Sequence, residues 1–125
     1  MGCPSLDELV LEVKQGEARG FNFTINQDGT PFDLTGWTVN VQIKNAPYYS
    51  IPPMVEKIIT ETSDLNTVGK IMSPTDGQFT LQINQEDTLY PPFDYYLTIF
   101  ITDGIQNINI SGDGNYKAIY RVCTQ

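Results

Sequence analysis

Hydrophobic and polar residues alternate along much of the chain with a period of two. In residues 37–44, Trp37, Val39, Val41 and Ile43 are separated by polar side chains. Because successive side chains of a strand point to opposite faces of its sheet, this pattern predicts a strand with one buried and one solvated face. The same alternation recurs in three other segments, at Phe21, Phe23 and Ile25, at Phe79, Leu81 and Ile83, and at Tyr95, Leu97, Ile99 and Ile101.

Turn signals separate these segments. Asp28-Gly29 lies between the first two predicted strands, and Asp103-Gly104 follows the strand that ends near Ile101. Asp-Gly pairs are typical of tight β connections. The last apolar run, residues 105–122, contains Gly-Asp-Gly at 112–114, which predicts a bulge or short excursion that splits one long final strand.

Weaker patterns predict two further strands and one short helical turn. Residues 9–13 are expected to form a first strand and residues 54–62 an edge strand, in which Lys57 and Glu61 would discourage pairing with another sheet edge. Residues 84–90 have the best helical spacing in the chain and are followed by two prolines.

Seven short strands with turns between them favour an all-β fold, an antiparallel sandwich in one domain over residues 1–125 with residues 1–8 as an N-terminal arm. No segment of ten or more residues shows clean helical spacing. The alternating apolar side chains, with Leu34 from the connection before the third strand, are expected to form the core. The predicted core residues are Phe21, Phe23, Leu34, Trp37, Val39, Val41, Ile43, Phe79, Leu81, Leu97 and Ile99.

The alternation of strand direction predicts which loops share an end of the sandwich. Loops 14–17, 45–53 and 85–93 fall at one end, and loops 27–36, 63–77 and 103–104 fall at the other. The first end is rich in aromatic residues and proline, which suits a stiff contact surface, although the same rings could instead fold back and cover the core. The residues of this predicted interface are Tyr48, Tyr49, Ile51, Pro52, Pro53, Tyr90, Pro91, Pro92 and Phe93.

The composition argues against most catalytic and nucleic-acid functions. The net charge is −8, with no basic patch that would attract a phosphate backbone, and there is no apolar run long enough to span a membrane. The chain has no histidine, so the usual general base and the commonest metal ligand are missing. We expect no catalytic residues, no enzyme activity, no cofactor and no metal site, and neither nucleic acid nor membrane as a partner.

Two cysteines, Cys3 and Cys123, lie near the two ends of the chain. They could lie close together if the first and last strands are neighbours. The N-terminus lacks the basic start and apolar run of a secretory signal, so we expect cytoplasmic synthesis. Free thiols are the simpler expectation there, and a disulfide is the alternative.

An ordered series of short motifs runs through the chain. Gln15-Gly16-Glu17 comes first, and the segments from Asp28 to Gly36, Asp76 to Ile83, Glu86 to Thr88 and Asp94 to Gly104 follow. This series resembles a small domain of tailed-phage structural proteins, in particular the N-terminal domain of siphophage baseplate upper proteins.

The resemblance implies an immunoglobulin-like sandwich without catalytic residues. It implies a virion protein, made in the cytoplasm of the host bacterium, that works as an assembly or adaptor module of the tail or baseplate, or of the neck or head. The implied partners are other virion proteins, such as fibre, baseplate, neck or capsid subunits, in multiple copies of a symmetric assembly. The alternative is a glycan-binding surface module, since tyrosines in stiff loops can stack on sugars.

Overall fold

The computed structural model describes residues 10–45, 52–110 and 119–124, which form β-strands joined by turns. In chain order the strands are β1 (Val10–Lys14), β2 (Arg19–Thr24), β3 (Asn26–Gln27), β4 (Thr30–Pro31), β5 (Thr38–Lys44), β6 (Val55–Ile59), β7 (Gly69–Ser73), β8 (Gln78–Ile83), β9 (Phe93–Thr102), β10 (Asn107–Asn109) and β11 (Ile119–Cys123). Two 3₁₀ turns, Pro74–Asp76 and Gln85–Thr88, complete the described secondary structure.

The strands form a larger and a smaller sheet around a common core. The larger sheet has the order β1-β11-β9-β5-β6, with β10 also paired to β9, and the smaller sheet has the order β2-β8-β7. β3 and β4 form a separate short hairpin. The prediction of an all-β sandwich is confirmed, because the alternating apolar side chains need a second sheet to cover them. The immunoglobulin-like topology stays a prediction.

One strand pair is parallel, so the prediction of a fully antiparallel sandwich is wrong there. β1 runs parallel to β11, with Val10 opposite Ile119 and Lys14 opposite Cys123. The chain passes from β1 to the smaller sheet before it returns, so no hairpin forces these neighbours to be antiparallel. The first and last strands are adjacent, but Cys3 lies outside the described residues, and its pairing with Cys123 stays untested.

The structure contains a strand that the sequence pattern did not predict. Residues 63–77 were expected to form a loop, but Gly69–Ser73 form β7, an edge strand of the smaller sheet. Gly69 has φ +115°, and a Cβ atom there would lie 2.0 Å from the Thr80 carbonyl oxygen. This glycine therefore allows close approach of two strands, although in sequence it resembles a loop signal.

The final strand is split, as predicted. β10 and β11 both pair antiparallel with β9. Asn109 lies opposite Phe100 and Ile119 lies opposite Tyr96. Nine residues separate Asn109 from Ile119 along the chain, whereas three separate Tyr96 from Phe100. The Gly-Asp-Gly sequence at 112–114 lies outside the described residues.

The core is built mainly from the alternating positions. The buried residues among those predicted are Leu34, Val39, Val41, Ile43, Phe79, Leu81, Leu97 and Ile99. Phe21, Phe23 and Trp37 are only partly buried and pack against this core. The two phenylalanines lie on β2, at the edge of the smaller sheet, and the Trp37 ring meets Phe32 edge-on at 5.4 Å.

The connection from β3 to β5 has the turn chemistry that its sequence predicts. Asp28 and Gly29 both have positive φ, 53° and 82°, as a tight hairpin requires. The Asp33 carboxylate accepts hydrogen bonds from the Thr35 backbone N–H at 2.9 Å and the Thr35 hydroxyl at 2.6 Å. These bonds lower the pKa of Asp33 and fix the bend that delivers buried Leu34 to the core.

Candidate functional site: an apolar end on a fixed loop

The segment between β8 and β9 is held by a buried ion pair. Lys57 of β6 is 7% exposed, and its Nζ lies 2.8 Å from Asp87 Oδ2 and 2.9 Å from the Thr67 carbonyl oxygen. Asp87 Oδ2 also accepts the backbone N–H of Asn84 at 2.9 Å, which caps the second 3₁₀ turn. Lys57 therefore points inward, where its charge meets Asp87.

Side chains from other loops and strands join the same segment. The buried Thr88 accepts the Gly16 backbone N–H through Oγ1 at 2.8 Å, and Tyr120 donates its hydroxyl to the Asp87 carbonyl at 2.9 Å. Gln15 Nε2 donates to the Tyr90 carbonyl at 3.0 Å. The loops at 14–17 and 85–93 thus lie at the same end of the sandwich, as strand direction predicted.

Tyr90 and Tyr95 turn inward at this end. The Tyr90 ring is half-buried, and its hydroxyl donates to the Met54 carbonyl at 3.1 Å. Tyr95 is buried and donates to the Pro91 carbonyl at 2.6 Å, and burial raises the pKa of Tyr95. Both rings therefore cover the core. For Tyr90, this is the alternative to a contact surface that the sequence left open.

Other residues of the segment project into solvent. Leu89 is 64% exposed and Phe93 is 62% exposed, and the two prolines between them are also exposed. The Phe93 ring rests edge-on against Tyr95 at 5.5 Å between ring centres, so a buried side chain supports it. We call the set Leu89, Pro91, Pro92 and Phe93 the apolar end.

The other predicted interface residues are only partly described. Pro52 is exposed and Pro53 is half-buried, and both precede Met54, whose carbonyl holds Tyr90. Tyr48, Tyr49 and Ile51 lie outside the described residues. Leu89 was not predicted for the interface, although a leucine beside a Tyr-Pro-Pro loop is a signal that could have suggested it.

The outer face of the larger sheet carries an exposed ion-pair row. Arg121 lies 2.8 Å from Asp94 through Nε and 3.6 Å from Glu12 through Nη1. The hydrogen bond from Arg121 lowers the pKa of Asp94 and raises that of Arg121. Such pairs add little to stability because water screens them.

The described residues contain neither a group of three or more acidic or cysteine side chains arranged to hold a metal ion nor a helix with the length and apolar character needed to cross a bilayer.

Comparison with known families decides the relationship. The sequence profile of the BppU N-terminal domain matches residues 8–88. The chain belongs to this family. No curated protein matches the chain.

Membership of the BppU N-terminal domain family makes this chain a structural protein related to the phage baseplate. This family membership implies a virion component that interacts with other virion proteins. The match extends to Thr88, the last residue of the second 3₁₀ turn, so the apolar end follows directly after the matched region. The loop that carries the apolar end is anchored by residues inside the match, such as Lys57 and Asp87.

Proposed function

We propose that this chain is a non-enzymatic assembly module of the phage tail or baseplate that docks a fibre or a neighbouring subunit through its apolar end. The observation that carries the proposal is the combination of exposed Leu89 and Phe93 with a loop that buried contacts hold in place. Exposed apolar side chains on a fixed support are typical of a protein contact surface.

The support lowers the cost of binding. Association must pay for every loop and side chain that becomes ordered at the interface. Here the Lys57–Asp87 pair and the Thr88 hydrogen bonds already order the segment before a partner arrives. Two prolines restrict the backbone further. Most of the gain from burying the apolar end therefore remains available as affinity.

The composition supports a binding role without chemistry. The chain has no histidine, and its acidic net charge of −8 favours solubility before assembly. A contact made by apolar side chains does not require this charge to be neutralised across the interface. We propose that incorporation into the virion, and not turnover of a substrate, is the activity on which the chain is selected.

The glycan-binding alternative gains no specific support from the described residues. Tyr90, one of the three tyrosines that could stack on a sugar, is half-buried and gives its hydroxyl to the Met54 carbonyl. Tyr48 and Tyr49 lie outside the described residues.

The test is a phage that carries the double substitution Leu89→Ser and Phe93→Ser. Removing two apolar anchors of about 1.5–3 kcal/mol each should reduce the copy number of the chain in purified particles at least about tenfold. Quantitative mass spectrometry measures the copy number, and antibody labelling in electron microscopy locates the chain on the particle. The thermal midpoint of the isolated variant should stay close to that of the native chain, because both side chains are exposed.

Ile105 provides the matched control. It is 92% exposed and follows the Asp103-Gly104 turn, at the other end of β9 from Phe93. Ile105→Ser removes a similar apolar surface and should leave the copy number unchanged. Normal incorporation of the Leu89/Phe93 variant, or equal loss with Ile105→Ser, would contradict the proposed docking surface.

A further inference from the structure

One edge of β2 is not paired with another strand in the described residues. Two hydrogen bonds show which residues of β2 direct their backbone groups towards that edge. Ile25 N–H donates to the Gly77 carbonyl at 2.9 Å, in the same register that pairs β2 with β8. In antiparallel pairs, residues alternate between bonding to the neighbour and pointing away from it. The backbone N–H and C=O groups of Phe21 and Phe23 therefore bond to β8. The N–H and C=O groups of Gly20, Asn22 and Thr24 point away from β8.

The hydrogen bonds of β8 agree with this assignment. Gln82 lies opposite Gly20, and its N–H donates to the Val68 carbonyl at 3.1 Å, on the β7 side of β8. Gln82 therefore points away from β2, as the alternation requires. Gly20, Asn22 and Thr24 are all exposed, so their outward groups are accessible to a partner.

Edges of other strands are covered or charged. At β1, Arg19 Nη1 donates to the Glu12 carbonyl at 3.0 Å. At β7, the Ile71 N–H donates to the Thr60 carbonyl at 2.9 Å. β6 carries Glu56 and the inward-pointing Lys57, which are typical devices against edge pairing.

The segment 20–24 of β2 lacks such protection. It contains no charged residue and no proline. The described residues give its outward backbone groups no further hydrogen-bond partner. An extended strand is the ligand that fits a row of alternating donors and acceptors.

We propose that β2 pairs antiparallel with β2 of a second copy of this chain, about a two-fold axis that places Asn22 opposite Asn22. In this register Gly20 faces Thr24 of the other copy, so every outward-pointing residue meets another one and exchanges both of its hydrogen bonds. The match is self-complementary, as a two-fold interface requires.

The side chains suit the same register. Phe21 of one copy lies opposite Phe23 of the other, and both rings are only partly buried in the single chain. Aromatic cross-strand pairs stabilise sheets. Because residues 20–24 are uncharged, the contact brings no like charges directly opposite each other despite the net charge of −8. The second copy therefore continues the smaller sheet across the axis.

The contact is small, since one strand pair buries less than the about 1,200–2,000 Å² of stable interfaces. It is therefore expected to be weak in solution and to matter where many copies are held close together. In that respect it rests on the proposed assembly function, but it uses a strand edge and not the apolar end.

The experiment measures self-association of the full chain by sedimentation velocity up to about 1 mM, the range of weak contacts. The native chain should shift with concentration from 14.0 kDa towards twice that mass. Asn22→Lys and Asn22→Asp should each abolish the shift, because each places like charges opposite one another across the axis. An equimolar mixture of the two variants should restore it, because Lys then faces Asp.

Met72 gives the matched control. It is an exposed residue of β7, on the opposite edge of the same sheet. Met72→Lys and Met72→Asp should each dimerise like the native chain. A native chain that stays monomeric at the highest concentration would overturn the proposal, as would variants of Asn22 that still dimerise or a mixture that is not restored. Any of these results leaves the docking role of the apolar end to be judged by its own particle assay.

Discussion

Asp87→Asn should destabilise the fold by about 3 kcal/mol. The substitution removes one partner of a buried ion pair, which typically costs about 3–5 kcal/mol because the remaining charge is left without compensation. The Lys57 side chain is 9% exposed, and its other described partner is the Thr67 carbonyl at 2.9 Å. The Asp87 side chain is 13% exposed, so some water reaches the pair, and we take the lower end of the range.

A double-mutant cycle separates the pair from its surroundings. Lys57→Met alone should cost about 1–3 kcal/mol, because the Asp87 carboxylate loses its cation but keeps the Asn84 N–H. The double variant Lys57→Met with Asp87→Asn removes both charges. It should be more stable than the sum of the single losses by at least about 1 kcal/mol.

Urea unfolding provides the assay, followed by the fluorescence of Trp37, which is the single tryptophan of the chain. Asp94→Asn is the control, since it breaks the exposed pair with Arg121 and should not shift the midpoint measurably. If Asp87→Asn and Asp94→Asn behaved alike, or if the single losses simply added, then the Lys57–Asp87 pair would not hold the loop as argued.

Three further predictions concern pH, backbone and core. Burial raises the pKa of Tyr120 above its usual value of 10.0, so the contribution of Tyr120 to stability should be constant below about pH 10 and should be lost above it, as only the unfolded chain loses this proton. Tyr120→Phe should reduce that fall in urea midpoints measured across this range. Gly69→Ala should lower the free energy of unfolding by more than the about 1–2 kcal/mol of a left-handed backbone alone, because its Cβ meets the Thr80 carbonyl. Gly104→Ala has open space around its Cβ, so its loss should stay within about 1–2 kcal/mol. In urea unfolding, Leu34→Ala should cost about 2–5 kcal/mol, and Trp37→Ala should cost less than the about 3–5 kcal/mol typical of a fully buried aromatic residue.

Each of these has a clear contrary result. An unchanged alkaline slope in Tyr120→Phe would show that another group controls it. Equal losses for the two glycine variants would remove the steric argument at β7. A Trp37→Ala loss at or above the range for a fully buried aromatic residue would show that its partial exposure understates its packing.

Local features of the sequence determined much of the fold. The period of two placed β2, β5, β8 and β9 within two residues of where they lie. The Asp28-Gly29 turn followed from residues that accept positive φ, and the Asp33 bend followed from a side chain that bonds to nearby backbone. These signals act over a few residues, so they do not depend on what packs against them. Strand direction also placed the loops that carry Gly16 and Thr88 at one end.

The tertiary structure alone decided which of these elements meet and which side chains remain outside. It turned Lys57 inward to Asp87, added β7 through a close approach at Gly69, and set β1 parallel to β11. It also divided an aromatic loop, so that Tyr90 covers the core while Leu89 and Phe93 face solvent. Each outcome depends on a contact between residues that are distant in sequence, and the burial of a side chain is a property of that contact and not of the residue type.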